Sequence, residues 1–297
     1  MTACSKEFGT RISDEAGARA LAACRTFTGD IAFPTPSAET LEHIQNLTGL
    51  VGLLGNLELS VGNTHITRLE APILSWISGS FIVNYLGSLA FVPDLDNLQS
   101  VSSLEVTGHV ELEGGIEPPP GLSRLTNLTE LRIEDSSMEV VENYELSTLD
   151  EVRIVNCPDL AEVHIGVSEM NTLVIESNGN ATVSFPQLIS ANNMTIGDCS
   201  NVQIPLLREV DGSLRIHRNA MSSFASRLSS VSENVVFNSN WKLYDLSLPD
   251  LRIVGGDLIF SNNTNLTLLE SFHQLERVNG TIDISGPVTR SVLDYVL

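Results

Sequence analysis

A short strand pattern recurs twelve times along the chain, at intervals of 20 to 27 residues: an apolar residue, a variable residue and a second apolar residue. The first apolar residues of the repeats are Ile31, Leu57, Phe81, Leu104, Leu131, Val152, Leu173, Met194, Leu214, Val235, Leu258 and Ile282. A repeat of this length is typical of a solenoid, because one coil cannot bury its own apolar face and must stack on its neighbours.

The alternation within each strand predicts an outward ladder, meaning the variable residues that face away from the core of a parallel sheet. Its members are Glu58, Ile82, Glu105, Arg132, Arg153, Val174, Thr195, Arg215, Val236, Ile259 and Asp283. A second apolar run, P-x-L-x-x-V-x-G-x-L, precedes many strands, as in residues 248–258. Each coil therefore has at least two apolar edges that face one core.

From the fifth repeat to the eleventh, the pattern extends to the leucine-rich-repeat form L-x-L-x-x-N/C. Its last positions are Ser136, Cys157, Asn178, Cys199, Asn219, Asn240 and Asn263. A buried turn leaves backbone groups that need partners, and an inward Asn amide can supply them in coil after coil. We therefore expect a structural ladder of Asn178, Asn219, Asn240 and Asn263. The predicted fold is mainly β, a right-handed parallel β-helix or leucine-rich-repeat-like solenoid of about twelve coils with a small N-terminal helical cap.

The predicted domain organisation follows the repeat. Residues 1–27 form a disulfide-stapled cap with a short helix over 13–23, residues 28–285 form the solenoid, and residues 286–297 form an atypical short tail. Three prolines at 118–120 predict a protruding loop or mild kink, because proline blocks regular strand pairing. The tail is too short for another coil, so we expect the natural C-terminal cap to be missing from this chain.

The four cysteines divide into two kinds. Cys4 and Cys24 flank the cap helix, and a disulfide between them would stabilise by roughly 3 kcal/mol in the chain-entropy model. Cys157 and Cys199 occupy equivalent positions two coils apart, so their Cα atoms should lie ~9.6 Å apart, beyond the disulfide limit of ~7 Å. We therefore predict that Cys157 and Cys199 are buried free thiols.

The composition limits which cellular compartments and which classes of binding partner fit this protein. The net charge of −21 leaves no basic stripe, which argues against a nucleic-acid partner. Seven N-x-S/T sequons are N-glycosylation candidates, and together with the disulfide they favour a secreted protein. The sequons lie at Asn46, Asn127, Asn180, Asn193, Asn262, Asn265 and Asn279. The uncharged stretch 71–92 has the length of a membrane span, but it carries turn residues where the repeat requires turns.

The sequence gives little support for a catalytic site or a metal site. Polysaccharide lyases and hydrolases need clustered carboxylates, whereas Ile82 separates Glu58 from Glu105 on the outward ladder. Glu134 and Glu176 beside Arg132 and Arg153 predict a salt-linked solvated face. The six histidines, His43, His65, His109, His164, His217 and His273, show no metal-ligand spacing. We expect no enzyme activity, no cofactor and no metal.

Three residues are candidates for a binding face. Arg132 and Arg153 are central, outward and on consecutive rungs of the predicted solenoid. Trp241 follows a strand, where it is either a sugar-stacking residue or a core residue of the turn.

The cap and coils together resemble the fungal GPI-anchored cell-wall-organisation proteins with receptor-L-domain repeats. The similar residues run from Cys4 through Cys24 into TFTGDIAF, and through the coils to FNSNWKLYDLSLPDLRIVGGDLIFSNNTNLTLLESFHQLERVNGTIDISG at 237–286. The resemblance implies a non-enzymatic, glycosylated cell-surface protein that is needed for wall integrity and is located in the wall and on the outer face of the plasma membrane. Members typically carry an N-terminal signal, a further cysteine-bearing cap and a lipid-anchor signal, which are not found in these residues.

Overall fold

The structure is a computed structural model that describes residues 4–5, 10–11, 20–21, 23–33, 47–62, 68–86, 92–95, 97–108, 122–143, 145–269, 272–287 and 290–291. The described part is almost entirely parallel β-structure wound as a β-solenoid, which confirms the predicted fold class. The chain divides into two compact units, Met1–Leu149 and Asp150–Leu297. The domain limits drawn from the sequence stay predictions.

The described residues of the first unit form eleven strands and one 3-10 turn, Leu122–Arg124. The strands are β1 Thr10–Arg11, β2 Thr26–Thr28, β3 Ile31–Phe33, β4 Gly52–Leu54, β5 Leu57–Gly62, β6 Arg68–Glu70, β7 Trp76–Leu86, β8 Val92–Asp94, β9 Ser100–Thr107, β10 Asn127–Glu134 and β11 Val140–Asn143. The repeat strands β3, β5, β7, β9 and β10 pair in parallel, and the first apolar residue of each repeat lies opposite that of the next. This is the register that the repeat predicted.

The second unit contains the remaining strands. They are β12 Glu151–Val155, β13 Glu162–Ile165, β14 Glu169–Glu176, β15 Thr182–Ser184, β16 Ser190–Gly197, β17 Asn201–Gln203, β18 Glu209–Val210, β19 Leu214–His217, β20 Ser223–Ala225, β21 Ser230–Val231, β22 Val235–Asn238, β23 Asp245–Ser247, β24 Ile253–Val254, β25 Leu258–Ser261, β26 Leu268–Leu269, β27 Arg277–Val278, β28 Ile282–Ile284 and β29 Arg290–Ser291. Here β12, β14, β16, β19, β22, β25 and β28 stack in parallel and in register.

Two buried ladders form the core of the second unit, as the paired apolar runs predicted. One consists of the repeat strands, in which Leu214, Val235 and Leu258 are fully buried. The other comes from the runs that precede them, where Leu228, Val231 and Leu251 are equally inaccessible to solvent. At the end of the stack, Phe224, Phe237, Phe260 and Phe272 form a column with ring centroids 5.0 to 5.8 Å apart.

Each Asn of the ladder in the second unit forms hydrogen bonds with backbone groups at the turn of the preceding coil. The Asn240 amide donates to the Ile216 carbonyl at 2.9 Å, and its Oδ1 accepts the Asn219 backbone N–H at 3.0 Å. Asn178, Asn219 and Asn263 make the same two bonds to the coils before them. Because these amides are buried, they supply hydrogen bonds to backbone groups that water cannot reach.

The predicted number of coils is wrong. The solenoid has about nine turns rather than twelve. Every repeat core does lie in a strand, but a strand core marks only one edge of a coil. In the early repeats, residues 34–46, 63–67, 87–91 and 109–121 lie outside the described part of the chain, including the three prolines at 118–120.

The N-terminal cap differs from the prediction in its pairing. β1 pairs in parallel with β3, and Ser5 forms a bridge with Thr28, so the cap adds β-structure to the edge of the first coil. A covered edge cannot pair with another chain. Most of the predicted helix over 13–23 lies outside the described residues, which include only Ala20, Leu21, and residue 23 of it.

The cysteines lie as the sequence argument placed them. Cys4 and Cys24 form a disulfide with a Cα–Cα distance of 5.7 Å. Cys157 and Cys199 are free and buried. Each replaces an Asn of the ladder, and the backbone N–H groups of Cys157 and Cys199 donate to Asn178 and Asn219.

Thiol titration of the unfolded, unreduced protein should therefore detect two reactive groups. In the native protein neither should react near pH ~8, because both thiols are buried and burial raises the pKa of Cys199 to about 12. Reaction with a chromogenic disulfide reagent, with and without denaturant, measures both numbers. No thiols after unfolding would contradict the free-thiol assignment, and four would contradict the disulfide.

The C-terminal repeat is less buried than those before it. Ile282 and Ile284 are half-buried, whereas Leu258 and Phe260, their register partners in β25, are fully buried. The tail residues 292–297 lie outside the described part. Within the described residues no helix is long and apolar enough to cross a membrane, and the uncharged stretch from residue 71 contains strand β7.

Candidate functional site

The outward ladder is a row of half-exposed or exposed side chains between buried neighbours. In the first unit, Glu58, Ile82, Glu105 and Arg132 lie opposite one another in successive strands. In the second, the row runs from Arg153 through Val174, Thr195 and Arg215 to Asp283. The strand alternation that buries one face thus presents the other to solvent, as predicted.

The two arginines of the proposed binding face lie in different units of the chain. Arg132 forms an ion pair with Glu130 at 2.6 Å, two residues earlier in β10. Both side chains are about one-third exposed. Glu134 and Glu176 were predicted to belong to the salt-linked face, and the Glu176 carboxylate contacts His217.

That His217 contact is the centre of a cluster that sequence analysis missed. His217 Nε2 lies 2.7 Å from Glu176 Oε1, although the residues are 41 positions apart. The two side chains meet across Gly197, where a Cβ atom would lie 2.6 Å from the His217 ring. Only glycine at this position leaves room for the imidazole. Three residues at the same position of three successive repeats therefore act together.

The turn residues next to this cluster form an ion pair. Arg218 donates two hydrogen bonds to the Asp198 carboxylate, at 2.9 and 2.7 Å. The Arg218 guanidinium holds the pKa of Asp198 below its usual value, and Asp198 in turn raises the pKa of Arg218. Ser177 also donates its backbone N–H to Asp198 at 3.1 Å. These contacts tie three coils together at their turns.

The residues directly before the positions of the Asn ladder and its Ser and Cys replacements share one backbone conformation. Seven of them have positive φ angles between 51° and 62°: Asp135, Asn156, Ser177, Asp198, Arg218, Ser239 and Asn262. Asp and Asn adopt this left-handed conformation more readily than other non-glycine residues. The Asp, Asn and Ser residues at this position were the available sequence signal for the turn.

The cluster has the properties of a structural element rather than of a catalytic one. His217 is only 3% exposed, so a substrate in solvent does not reach its ring. Burial lowers the pKa of His217, and the hydrogen bond that the ring makes to the Glu176 carboxylate opposes that shift only in part. The Cys199 thiol is protonated at neutral pH because burial raises its pKa. Within the described residues, no group of three His, Cys, Asp or Glu side chains is arranged to hold a metal ion.

His217 should make the stability of the protein depend on pH. Because burial lowers its pKa in the folded state, the unfolded chain takes up a proton near pH 6.5 while the folded chain does not. Stability contributed by the neutral ring is present above pH 6.5 and is lost as the pH falls below it. The charged groups that act on the ring are Glu176, Arg218, Arg215 and Asp198.

We expect the denaturant midpoint of the wild type to fall more steeply between pH ~7 and ~5 than that of His217→Gln. The comparison is made by urea unfolding at several pH values, with His273→Gln as the control at an exposed histidine. Equal slopes for the wild type and His217→Gln would contradict this assignment.

Trp241 is on the surface. Its side chain is 51% exposed, so the interpretation as a core residue of the turn is wrong. The Lys242 ammonium lies 4.5 Å from the centroid of the Trp241 ring. Tyr244, which sequence analysis did not single out, is 49% exposed on the same turn.

The described sequon asparagines are all exposed, whereas Asn46 lies outside the described part. Asn193 uses its Oδ1 to accept the Ser213 backbone N–H at 3.1 Å. Asn127 accepts a hydrogen bond from Ser147 at 3.0 Å. Of the six histidines, His43, His65 and His109 lie outside the described residues, and His164, His217 and His273 lie within them.

Known proteins with similar sequences come from fungi. The chain is 26% identical to a cell surface GPI-anchored protein of Arthroderma benhamiae, over 93% of this chain and 69% of that protein. It is 26% identical to protein ecm33 of Aspergillus fumigatus, over 84% of this chain and 61% of that protein. It is also 23% identical to sporulation-specific protein 22 of Saccharomyces cerevisiae, over 82% of this chain and 52% of that protein.

No family model matches the chain, and no solved structure matches it. The chain spans between 52% and 69% of the length of the three relatives. The relatives' names describe cell-surface or sporulation proteins and no catalytic activity. The similarities to the first two relatives confirm the resemblance of this chain to the fungal GPI-anchored cell-surface proteins.

Proposed function

We propose that this chain is a non-enzymatic, glycosylated cell-surface protein that supports the organisation and integrity of a fungal cell wall. The observation that carries the proposal is the similarity over 93% of the chain to a protein named as cell surface GPI-anchored. The protein would lie in the wall and on the outer face of the plasma membrane, and a lipid anchor would attach it to the membrane.

The chemistry of the described surface supports a non-catalytic role. Ile82 lies between Glu58 and Glu105 in the strand register, so these carboxylates are not on adjacent rungs. Paired carboxylates are what glycoside hydrolysis requires. The His217 ring and the Cys199 thiol are buried, which removes both from contact with substrate.

Surface labelling tests the proposed location. Cells that produce the tagged protein are treated with a membrane-impermeant biotin reagent, and the captured protein is digested with peptide N-glycosidase. We expect most of the protein to be biotinylated and to lose mass on digestion. A protein that is not biotinylated and does not lose mass on digestion would contradict the proposal.

A second candidate function is recognition of a wall polysaccharide, or of a protein of the wall or plasma membrane, by the outward ladder. The observation in its favour is the repeated, half-exposed row, which mixes charges of both signs with apolar groups. Solenoid faces commonly serve as extended binding surfaces. Retention of the secreted protein on β-glucan, chitin or mannan particles at low and moderate salt would favour recognition, and no retention would favour a structural role.

Arg132 and Arg153 are the residues to change first. The double variant Arg132→Ala/Arg153→Ala should be secreted and should unfold near the wild-type midpoint, because exposed ion pairs contribute only about 0–1 kcal/mol each. It should nevertheless fail to restore growth under wall stress in cells that lack the gene. The matched control is Arg208→Ala/Arg227→Ala, two exposed arginines off the outward ladder. Full rescue by the first variant would remove this face from consideration.

A further inference from the structure

The turn between β22 and β23 exposes two aromatic rings that the solenoid does not use. Trp241 and Tyr244 are 51% and 49% exposed, the largest exposed fractions among the exposed large apolar side chains of the described residues. We call these two residues the aromatic shelf. Aromatic rings lose much favourable apolar contact when they face water. Two of them on one turn therefore indicate a ligand that covers them.

The neighbouring coils leave the shelf open. The Tyr244 backbone N–H donates to the Ser222 carbonyl at 2.9 Å, and the Tyr244 carbonyl accepts the Thr267 N–H at 3.2 Å. The Thr264 hydroxyl donates to the Trp241 carbonyl at 3.4 Å. Residues that carry hydroxyl groups thus flank the turn in the neighbouring coils. Both rings stay about half exposed, and the Lys242 ammonium lies over the Trp241 ring.

An N-glycosylation sequon lies one coil away from the shelf. The strand before the turn pairs Asn238 with Ser261, and the strand after it pairs Asp245 with Leu268. The number of residues between paired positions is the same on both sides of the turn, so the same register holds within it. That register places Asn265 opposite Lys242, whose ammonium lies over the Trp241 ring. The backbone of Asn265 therefore lies one rung, ~4.8 Å, from that of Lys242. Asn265 is exposed and is followed by Leu266 and Thr267, which complete the sequon.

We propose that an N-linked glycan on Asn265 lies against Trp241 and Tyr244 of the preceding coil. The C–H face of a pyranose ring packs on the electron-rich face of an aromatic ring, while its hydroxyls bind the polar edge. Lys242 and Thr264 are the polar groups at that edge. The proposal rests on the proposed function, because only a protein of the secretory pathway receives this glycan. It also assigns Trp241 to the chain's own glycan, and leaves Arg132 and Arg153 for external partners.

Tryptophan fluorescence tests the contact. The chain has two tryptophans, so Trp76→Phe leaves Trp241 as the only tryptophan, and excitation beyond the tyrosine absorption band reports on it alone. In that background, acrylamide quenching of the secreted protein should rise about twofold after Asn265→Gln, because the half-exposed ring loses its cover. Digestion with peptide N-glycosidase should have the same effect without any substitution. The control is Asn262→Gln, which removes the sequon opposite Ser239 and should leave quenching unchanged.

Four results would overturn the proposal. Glycopeptide mass spectrometry could find Asn265 bare on a protein that is present at the cell surface, which would contradict the glycan contact and leave the proposed function intact. Quenching could be unchanged by Asn265→Gln although the site is occupied. Trp241→Ala could weaken retention on glucan particles equally with and without the Asn265 glycan, which would show that the shelf binds an external polysaccharide. A protein that stays inside the cell without glycans would contradict the proposed function as well.

Discussion

Phe237→Ala should lower the free energy of unfolding by about 3–5 kcal/mol, the largest effect that we expect from a single substitution. The Phe237 ring is fully buried in the second unit. It makes an edge contact with Phe224 at 5.0 Å and with Phe260 at 5.8 Å. Removing it leaves a cavity in the middle of the column, and the stacked backbone on either side limits how far the cavity can close.

Urea unfolding followed by circular dichroism measures this effect. The matched control is Val236→Ala, the next residue in the same strand, whose side chain is half-exposed on the outward ladder. It should cost less than about 1 kcal/mol, because little apolar area becomes exposed. Equal losses for Phe237→Ala and Val236→Ala would contradict the assignment of inner and outer faces.

Asn240→Leu should lower the free energy of unfolding by about 2–4 kcal/mol, because it leaves buried backbone groups without partners. The Ile216 carbonyl loses a donor, and the Asn219 backbone N–H loses an acceptor. The Asn240 and Asn263 amides also contact each other at 3.2 Å, so the effect extends along the ladder. Asn240 is fully buried, which keeps water from replacing these bonds.

The control for the ladder is Asn238→Leu, two residues earlier in the chain. Asn238 is half-buried, and its amide donates to the Ser261 hydroxyl at 3.0 Å. Water can replace that bond, so we expect a loss below about 1 kcal/mol. An unchanged unfolding midpoint for Asn240→Leu would mean that the coil register is wrong.

The strand register and the Asn ladder were predictable from the sequence because each rests on a local pattern. Strand alternation decides which of the two neighbours Arg215 and Ile216 faces the core. An Asn five residues after Leu214 can only lie in the turn that follows the strand. The number of complete coils was not predictable in the same way. A strand core marks one edge of a coil, whereas the return path depends on turn residues that vary in number from coil to coil.

The Glu176 and His217 contact was not predictable from either residue alone. It depends on Gly197 in the strand between them, and a missing side chain is visible only after the strands are aligned in their register. The exposure of Trp241 was also uncertain from sequence, because a tryptophan after a strand fits both a buried turn and an open one. The register explains the first observation, since it shows which residues lie side by side in neighbouring coils.

The most direct test of the central claim is the growth of cells in which the gene for this chain is deleted. Growth is measured on increasing concentrations of a dye that binds wall chitin or β-glucan, with an osmotically supported culture as reference. We expect that the deletion strain is more sensitive than the parent, that osmotic support restores growth, and that the reintroduced wild-type gene removes the defect. Growth equal to the parent at every dye concentration, with the protein normally present at the parent's cell surface, would contradict a role in wall integrity.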